Sequence, residues 1–199
     1  MSTPARKPGT ERREQIVSAV LEIIGEQGIT ALTTATLAET VGVTSGALFR
    51  HFGSLDEMLE ETTRYAVALI DQTFPEESLP ASERLDQFAR LRVELLGSQP
   101  GIAWLLRSEQ SHLTLPPGAV ALLNRRVQRS RRFVLKVLKE GMADGSFRDD
   151  LEPSQLFIVV MGTIHTLVSL PRGRQGKTNQ LSRESSGALS ALMRLIAPC

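Results

Sequence analysis

The sequence predicts an all-α protein of about nine helices. Apolar residues recur at spacings of three and four along nearly every segment, and no segment shows the sustained alternation of a β-strand. Pro117 and Pro153 stand where two long helical patterns begin, in first-turn positions that tolerate a missing amide hydrogen. The small and apolar residues of 34–52 also match a helix-turn-helix. We expect an N-terminal domain at 1–54 and a C-terminal helical domain at 55–199.

Three helices are expected in the N-terminal domain. The first begins near Thr10 and ends before Gly28, and two short helices follow at about 34–41 and 45–51. The first helix carries a single apolar stripe, formed by Ile16, Val17, Val20, Leu21 and Ile24.

The two short helices have the residues that a steep helix crossing needs. Such a crossing requires a small residue at the closest approach, a turn residue that accepts a left-handed backbone, and an apolar plug. Ala38, Gly42 and Leu48 fill these three positions. Thr34 and Thr44 are predicted N-caps, because their hydroxyls can accept from free backbone amides. The segment is therefore expected to present its second helix to a partner.

The C-terminal domain is predicted to be helical throughout. Ser54 and Glu57 form a capping-box pattern that opens a helix ending before Pro75. The polar residues 75–82 then form a linker or tight connection, and the basic segment 171–180 is expected to be mobile. Further helices are expected at about 82–96, 102–111, 117–143, 153–170 and 182–196.

Composition limits the class of protein. The chain has 199 residues with 41% hydrophobic residues, which is typical of a globular protein. Its one cysteine, Cys199, excludes an internal disulfide framework and a cysteine-rich metal site, as expected in a reducing compartment. No secretory signal core and no apolar run of membrane-spanning length occur. We therefore expect a soluble cytoplasmic protein without a membrane partner.

Charge is distributed unevenly although the formal net charge is only +1. Residues 1–13 carry a net charge of +3, whereas residues 55–63 carry −4. Binding to nucleic acid would therefore depend on local placement of basic residues and not on a wholly basic domain.

A dense set of residues in the N-terminal part of the chain carries a family pattern: Gly28-Ile29, Leu32-Thr33-Thr34, Leu37-Ala38, Gly42-Val43-Thr44-Ser45-Gly46, Leu48-Phe49, His51-Phe52 and Ser54. In these residues the N-terminal part of the chain resembles the TetR family of transcriptional repressors. The resemblance implies an N-terminal DNA-binding domain with a helix-turn-helix, followed by a variable helical domain for ligand binding and dimerisation. The alternative is a helical hairpin in an unrelated bundle.

The resemblance also implies roles at DNA. Arg50 is the one strong base reader of the second motif helix, since a guanidinium can bond guanine O6 and N7 together. Thr34 would bond a phosphate at a helix N-terminus, and His51 would bond another. Arg50 could instead be a solvated surface charge, and His51 a capping or packing residue. The DNA-binding residues that we expect are Thr34, Thr44, Ser45, Gly46, Ala47, Phe49, Arg50 and His51.

This chain departs from the family pattern at positions that usually contact phosphate. Phe49 stands where tyrosine is common and Leu55 where lysine is common, while Ala35 lacks a polar side chain that some relatives have. Fewer phosphate contacts predict weaker binding and a shallower salt dependence. A basic N-terminal arm could compensate, or it could be only a solubilising tail; its residues are Arg6, Lys7, Arg12 and Arg13.

Bulky side chains of the C-terminal domain are candidates for a cavity that binds a small hydrophobic or amphipathic effector. Plain core packing is the alternative for each of them. His165 is favoured because an imidazole in an apolar run needs a polar partner, although a core or interface position would also supply one. The candidates are Phe88, Trp104, Phe133, Met142, Phe157, Met161 and His165.

One predicted helix carries a basic stripe with spacings of three and four. The stripe is either a helix face exposed to solvent or a binding surface. As a binding surface it would contact an anionic ligand, an acidic partner or a second nucleic acid. The stripe consists of Arg125, Arg129, Arg132, Lys136 and Lys139.

The function predicted is that of a homodimeric DNA-binding regulator, most simply a repressor released by its effector. One recognition helix reads only a few base pairs, so a two-fold dimer is needed to read a palindromic operator. Helices 153–170 and 182–196 are the expected dimer face, as a four-helix bundle. The rival function is a DNA-bound adaptor that recruits a protein. An enzyme, a cofactor or a metal site is not expected, because no H-E-x-x-H, G-x-S-x-G or phosphate-binding glycine loop occurs.

Overall fold

The computed structural model describes residues 9–170 and 183–198, and within these ranges the secondary structure is helical without strands. A 3-10 helix, Ile29–Ala31, follows the first of ten α-helices. The α-helices are α1 (Gly9–Gln27), α2 (Thr34–Val41), α3 (Ser45–Leu48), α4 (Leu55–Asp71), α5 (Ala81–Ser98), α6 (Pro100–Arg107), α7 (Ser111–Thr114), α8 (Pro117–Ala143), α9 (Pro153–Ser169) and α10 (Arg183–Ile196).

The all-α prediction is confirmed, and the count differs by one for a local reason. The helix predicted at 102–111 is two helices, because Ser108 has an extended backbone with φ −78° and ψ 125°. The Ser111 hydroxyl donates a hydrogen bond to the Ser108 carbonyl oxygen at 2.7 Å, which closes the break as a tight turn. Within the described ranges, no helix combines the length and the hydropathy that crossing a membrane requires.

The chain forms two compact units, each built from separate stretches of sequence. Unit 1 contains the described residues up to Val67 and Gln99–Leu123, and unit 2 contains Ala68–Ser98 and the described residues from Asn124 onward. Packing units need not coincide with functional domains, so a functional boundary at residue 54 stays a prediction.

Unit 1 is built around the packing of α1 on α6. A Cβ added to Gly101 would lie 2.2 Å from the Leu21 carbonyl oxygen, and one added to Gly25 would lie 2.6 Å from the Gly101 amide nitrogen. The two backbones therefore approach as closely as glycine permits. Fully buried side chains of this unit include Ile16, Val20, Leu37, Leu48, Met58, Ile102 and Leu105.

Unit 2 packs α5 against α9 and α10. Three aromatic rings meet in its core: Phe133 lies edge-on to Phe74 with ring centroids 5.2 Å apart, and 5.1 Å from Phe88. Arg84 is buried on α5 and forms an ion pair with Glu140 of α8 at 2.5 Å. This unit therefore buries charged side chains alongside its aromatic residues.

Several predicted features lie outside the described residues. These are Arg6 and Lys7 of the basic N-terminus, the segment 171–180, the first residue of the helix predicted at 182–196, and Cys199.

Candidate nucleic-acid interface

The helix-turn-helix has the local geometry that its sequence predicts. Ala38 and Leu48 are buried, and Gly42 ends α2 in the left-handed region with φ 72° and ψ 41°. The Val43 amide donates to the Ala38 carbonyl oxygen at 2.9 Å, which directs the chain into α3. The left-handed turn at Gly42 and the buried Leu48 are confirmed, and Ala38 is buried as a residue at a helix crossing would be.

The helix caps confirm one predicted N-cap and correct the other. Thr44 caps α3, since its hydroxyl accepts from the Ala47 amide at 3.2 Å. The prediction that Thr34 caps α2 was wrong, because Thr33 has the extended backbone and accepts from the Thr36 amide at 3.1 Å. Thr34 is instead the first helical residue, where its own backbone amide precedes the first hydrogen-bonded turn.

The second motif helix is shorter than expected, ending at Leu48 and not at residue 51. The amides of Arg50 and His51 bond the carbonyl oxygens three residues earlier, so the chain continues as a tighter turn. Ser45, Gly46, Phe49 and Arg50 are exposed, whereas Ala47 and His51 are half-buried.

The guanidinium of Arg50 is free to reach a partner outside the chain. Within the described residues, no side-chain hydrogen bond or ion pair involves it. The eight predicted DNA-binding residues lie on α2, on α3 with its N-cap Thr44, and on the turn that follows, and most of them are exposed. Their contacts with DNA remain predictions.

Arg13 supports this surface in a way that the sequence did not reveal. Its guanidinium lies 3.9 Å from the centroid of the Phe52 ring and 3.3 Å from a Glu57 carboxylate oxygen. It also donates to the His51 carbonyl oxygen, just beyond α3. Arg13, expected in a basic N-terminal arm, therefore joins α1 to the end of the helix-turn-helix. Arg12 bonds Gln15 on its own helix at 2.8 Å.

The beginning of α4 is capped by the Ser54 hydroxyl, which accepts from the Glu57 amide at 3.1 Å. The Glu57 carboxylate accepts from the Gly53 amide at 2.6 Å, one residue earlier than a standard capping box requires. The Gly53 amide, followed by Arg13, holds the pKa of Glu57 below its usual value. Glu57 is therefore ionised at neutral pH.

Five of the seven predicted effector residues belong to the core of unit 2 or pack against it. Phe88 and Phe133 meet in the core of unit 2, but Trp104 belongs to unit 1. Met142, Phe157 and Met161 are half-buried and pack against the unit 2 core. His165 is exposed in the single chain, and its effector role stays a prediction.

The basic stripe on α8 is partly neutralised within unit 2. Arg129 pairs with Asp71 at 2.7 Å, and Lys136 pairs with Glu77 at 3.2 Å. Arg125 is exposed. A shallow surface groove is lined by Arg132, Leu135, Lys136, Lys139 and Glu140.

The sequence is similar to those of known regulatory proteins that contain a helix-turn-helix. Residues 16–62 match the model of bacterial regulatory proteins of the tetR family. The chain is 31% identical to the nucleoid occlusion factor SlmA of Edwardsiella ictaluri, over 82% of this chain and 87% of SlmA. It is 24% identical to the HTH-type transcriptional repressor KstR2 of Mycolicibacterium smegmatis, over 76% and 75% of the two chains.

The fold is shared with a solved structure that contains operator DNA. A crystal structure of AibR in complex with isovaleryl coenzyme A and operator DNA superposes with a TM-score of 0.76. The two chains are 15% identical, and the match covers 94% of this chain and 98% of AibR.

Proposed function

Because the chain belongs to the TetR family and is a DNA-binding transcriptional regulator, we propose that it is a repressor that binds a palindromic operator as a homodimer and leaves it when a small effector binds. The observation that carries this proposal is the exposed Arg50 on a correctly shaped helix-turn-helix. The repressor function has a counterpart in KstR2, which is named as a transcriptional repressor.

The proposed dimer face consists of α9 and α10. Helix α9 contains no Asp, Glu, Lys or Arg in 17 residues, yet Ile158 is 69% exposed and Val159 is 47% exposed. On α10, Leu195 is 67% exposed. A second copy of the chain would cover these apolar side chains. It would also supply the second helix-turn-helix that is needed to bind both halves of a palindrome.

In the proposed mechanism the effector selects between two conformers of the dimer. One conformer presents its recognition helices about 34 Å apart, which is the spacing of successive major grooves. An effector that binds better to the other conformer shifts the population away from the operator. AibR, crystallised with isovaleryl coenzyme A and operator DNA, is a protein of this fold that binds both kinds of ligand.

Selection of binding sites from random DNA fragments tests the proposal. We expect the full-length protein to enrich a palindrome with two half-sites. Arg50→Ala should relax base preference at one position in each half-site, by about 1 to 3 kcal/mol, because a bidentate contact with guanine is lost. Arg125→Ala, an exposed arginine on α8, is the matched control and should keep the preference. If no sequence is enriched, the proposed function is wrong; an unchanged preference in Arg50→Ala removes Arg50 from the reading residues.

A DNA-bound adaptor is the second candidate function. It is favoured by the likeness to a nucleoid occlusion factor and by the basic stripe on α8. An adaptor would retain a defined protein partner on operator DNA, while no small molecule would change its operator affinity or its Trp104 fluorescence. Ligand-dependent release of operator DNA would exclude this candidate as the main function.

A further inference from the structure

Unit 2 contains an arginine cluster, formed by Arg92 of α5 with Arg126 and Arg129 of α8. Arg126 and Arg129 both pair with the same Asp71 oxygen at the end of α4, Arg129 at 2.7 Å. Arg92 has no carboxylate partner within the described residues. The cluster therefore contains three guanidinium groups and one carboxylate that pairs with two of them, which leaves a local excess of two positive charges.

Arg92 is the buried member of the cluster, with only 4% of its surface exposed. Its Nε donates to the Thr73 hydroxyl at 3.0 Å and its Nη1 to the Ser130 hydroxyl at 3.4 Å. Its guanidinium carbon lies 4.7 Å from the Phe88 ring centroid and 5.5 Å from that of Phe74. Its Nη2 is buried without a hydrogen-bond partner.

The buried charge is costly as it stands. Burial lowers the pKa of Arg92 to about 10, with Arg126 contributing in the same direction and Asp71 opposing it. The side chain therefore remains protonated at neutral pH. Hydroxyl groups and aromatic faces offset part of the desolvation cost, but a buried cation is normally paired with an anion. An anionic ligand would supply that missing partner.

The cluster extends from the core to the surface. The side chain of Arg126 is 14% exposed and that of Arg129 is 51% exposed, in contrast to Arg92. Arg126 Nε is also buried without a partner. Arg92 Nη2 and Arg126 Nε are therefore two buried donor nitrogens without an acceptor, which the oxygens of a carboxylate would supply.

An apolar wall stands beside these donors. Phe88 is fully buried, while Phe74 and Phe133 are half-buried, and the three ring centroids lie 5.1 to 5.6 Å apart. Arg129 lies over the Phe74 ring, 4.5 Å from its centroid. The chemistry of the region therefore suits a molecule with an oxyanion at one end and an apolar body at the other.

We propose that the arginine cluster anchors the carboxylate of an amphipathic effector, with Arg92 and Arg126 as its donors and the three phenylalanine rings against its apolar body. The proposal deepens the function proposed above, because it rests on an effector that binds unit 2. It also assigns Arg92 and Arg126, which lie outside the predicted effector set, and retains only Phe88 and Phe133 from that set.

The test compares charged and neutral probes on the full-length protein. We expect hexanoate, octanoate and dodecanoate to raise the melting temperature in proportion to the logarithm of their concentration, since each binds the folded state. The corresponding amides should bind at least tenfold more weakly, because they have the same chain without the charge. Equal binding of acids and amides, or no binding by any acid, overturns the proposal. Binding of octyl phosphate but not octanoate overturns the assignment to a carboxylate.

Arg92→Gln should weaken octanoate binding by at least tenfold while changing the binding of octanamide little. Arg125→Gln is the control, since it removes an exposed positive charge from α8. Arg126→Gln provides the same comparison at a more exposed position if Arg92→Gln does not fold. Octanoate binding that survives both Arg92→Gln and Arg126→Gln would overturn the proposal.

Operator affinity is measured separately with and without octanoate. Binding of octanoate without any effect on operator affinity leaves the carboxylate site intact and contradicts release by this ligand. Failure of the unliganded protein to select any operator contradicts the proposed function, while the probe measurements on the site still hold.

Discussion

The helix-turn-helix and the α1–α6 contact are two solutions to helix packing within unit 1. In the helix-turn-helix, the defining hydrogen bonds join residues three to five positions apart, as from Ala47 to Thr44 and from Val43 to Ala38. In the α1–α6 contact, the backbones of Leu21 and Gly101 touch across 80 positions. A local motif can therefore be recognised from its own sequence, whereas its support depends on residues far along the chain.

Gly101→Ala should have the largest effect on stability, because its Cβ would lie 2.2 Å from the Leu21 carbonyl oxygen. Backbone atoms cannot move aside as a flexible side chain can, so we expect a loss of about 1 to 3 kcal/mol of unfolding free energy. Urea denaturation measures this loss.

Gly46→Ala is the matched control in the helix-turn-helix, where no atom outside the neighbouring residues and the backbone of the same helix lies within 4 Å of an added Cβ. Alanine favours a helix over glycine by about 0.5 to 1 kcal/mol, so stability should stay equal or rise slightly. If the two variants unfold at the same urea concentration, the distinction between the two kinds of packing fails.

Arg13→Ala should have a smaller effect, since Arg13 links the two regions by side-chain contacts. The contact with the Phe52 ring contributes about 0.5 to 1 kcal/mol, and the ion pair with Glu57 adds little because both side chains are over a third exposed. We expect a loss of about 1 kcal/mol and weaker operator binding, because the end of α3 loses its attachment to α1. Arg12→Ala, which removes only a bond to Gln15, is the control. Equal effects of the two substitutions would assign Arg13 no special role.

The same distinction explains which features the sequence revealed. The roles of Gly42, Thr44 and Leu48 were predicted because a left-handed turn, a helix N-cap and a buried apolar residue each depend on residues close together in the sequence. Thr33 was missed by one position because adjacent threonines have the same chemistry, and only the backbone conformation separates them. Arg13 and Arg92 were missed because a sequence presents arginine as a surface residue, and their ring partners lie elsewhere in the chain.

One signal for Arg92 was available. Arg84, Phe88 and Arg92 follow one another at intervals of four residues on α5, so they lie on one helix face, and Phe88 was already a candidate for a cavity or for the core. A basic residue on the same helix face as a buried aromatic residue is a candidate for a buried charge. The pairing of Asp71 with α8 had no comparable signal, because it joins residues more than 50 positions apart.

The smallest effect expected is at Glu57, whose carboxylate joins the local cap to the distant Arg13. Its pKa in the folded protein is lowered from about 4.5, first by the Gly53 amide and then by Arg13. A lowered folded pKa gives stability that is fully present above the unfolded value and is lost as the pH falls through the folded value. Wild-type protein should therefore melt above Glu57→Gln at pH 7, and the difference should shrink below about pH 4.5 and vanish under the folded pKa.

Repeating the pH series in Arg13→Ala separates the two contributions to the Glu57 effect. The Gly53 amide remains in that background, so part of the pH-dependent difference should persist and the midpoint of its loss should move to higher pH. An unchanged midpoint would show that the local cap alone sets the Glu57 pKa. The contact with Arg13 would then make no electrostatic contribution to the stability of the helix-turn-helix. A complete loss of the pH dependence would instead make the cap depend on Arg13, and the helix-turn-helix would no longer count as a locally determined structure.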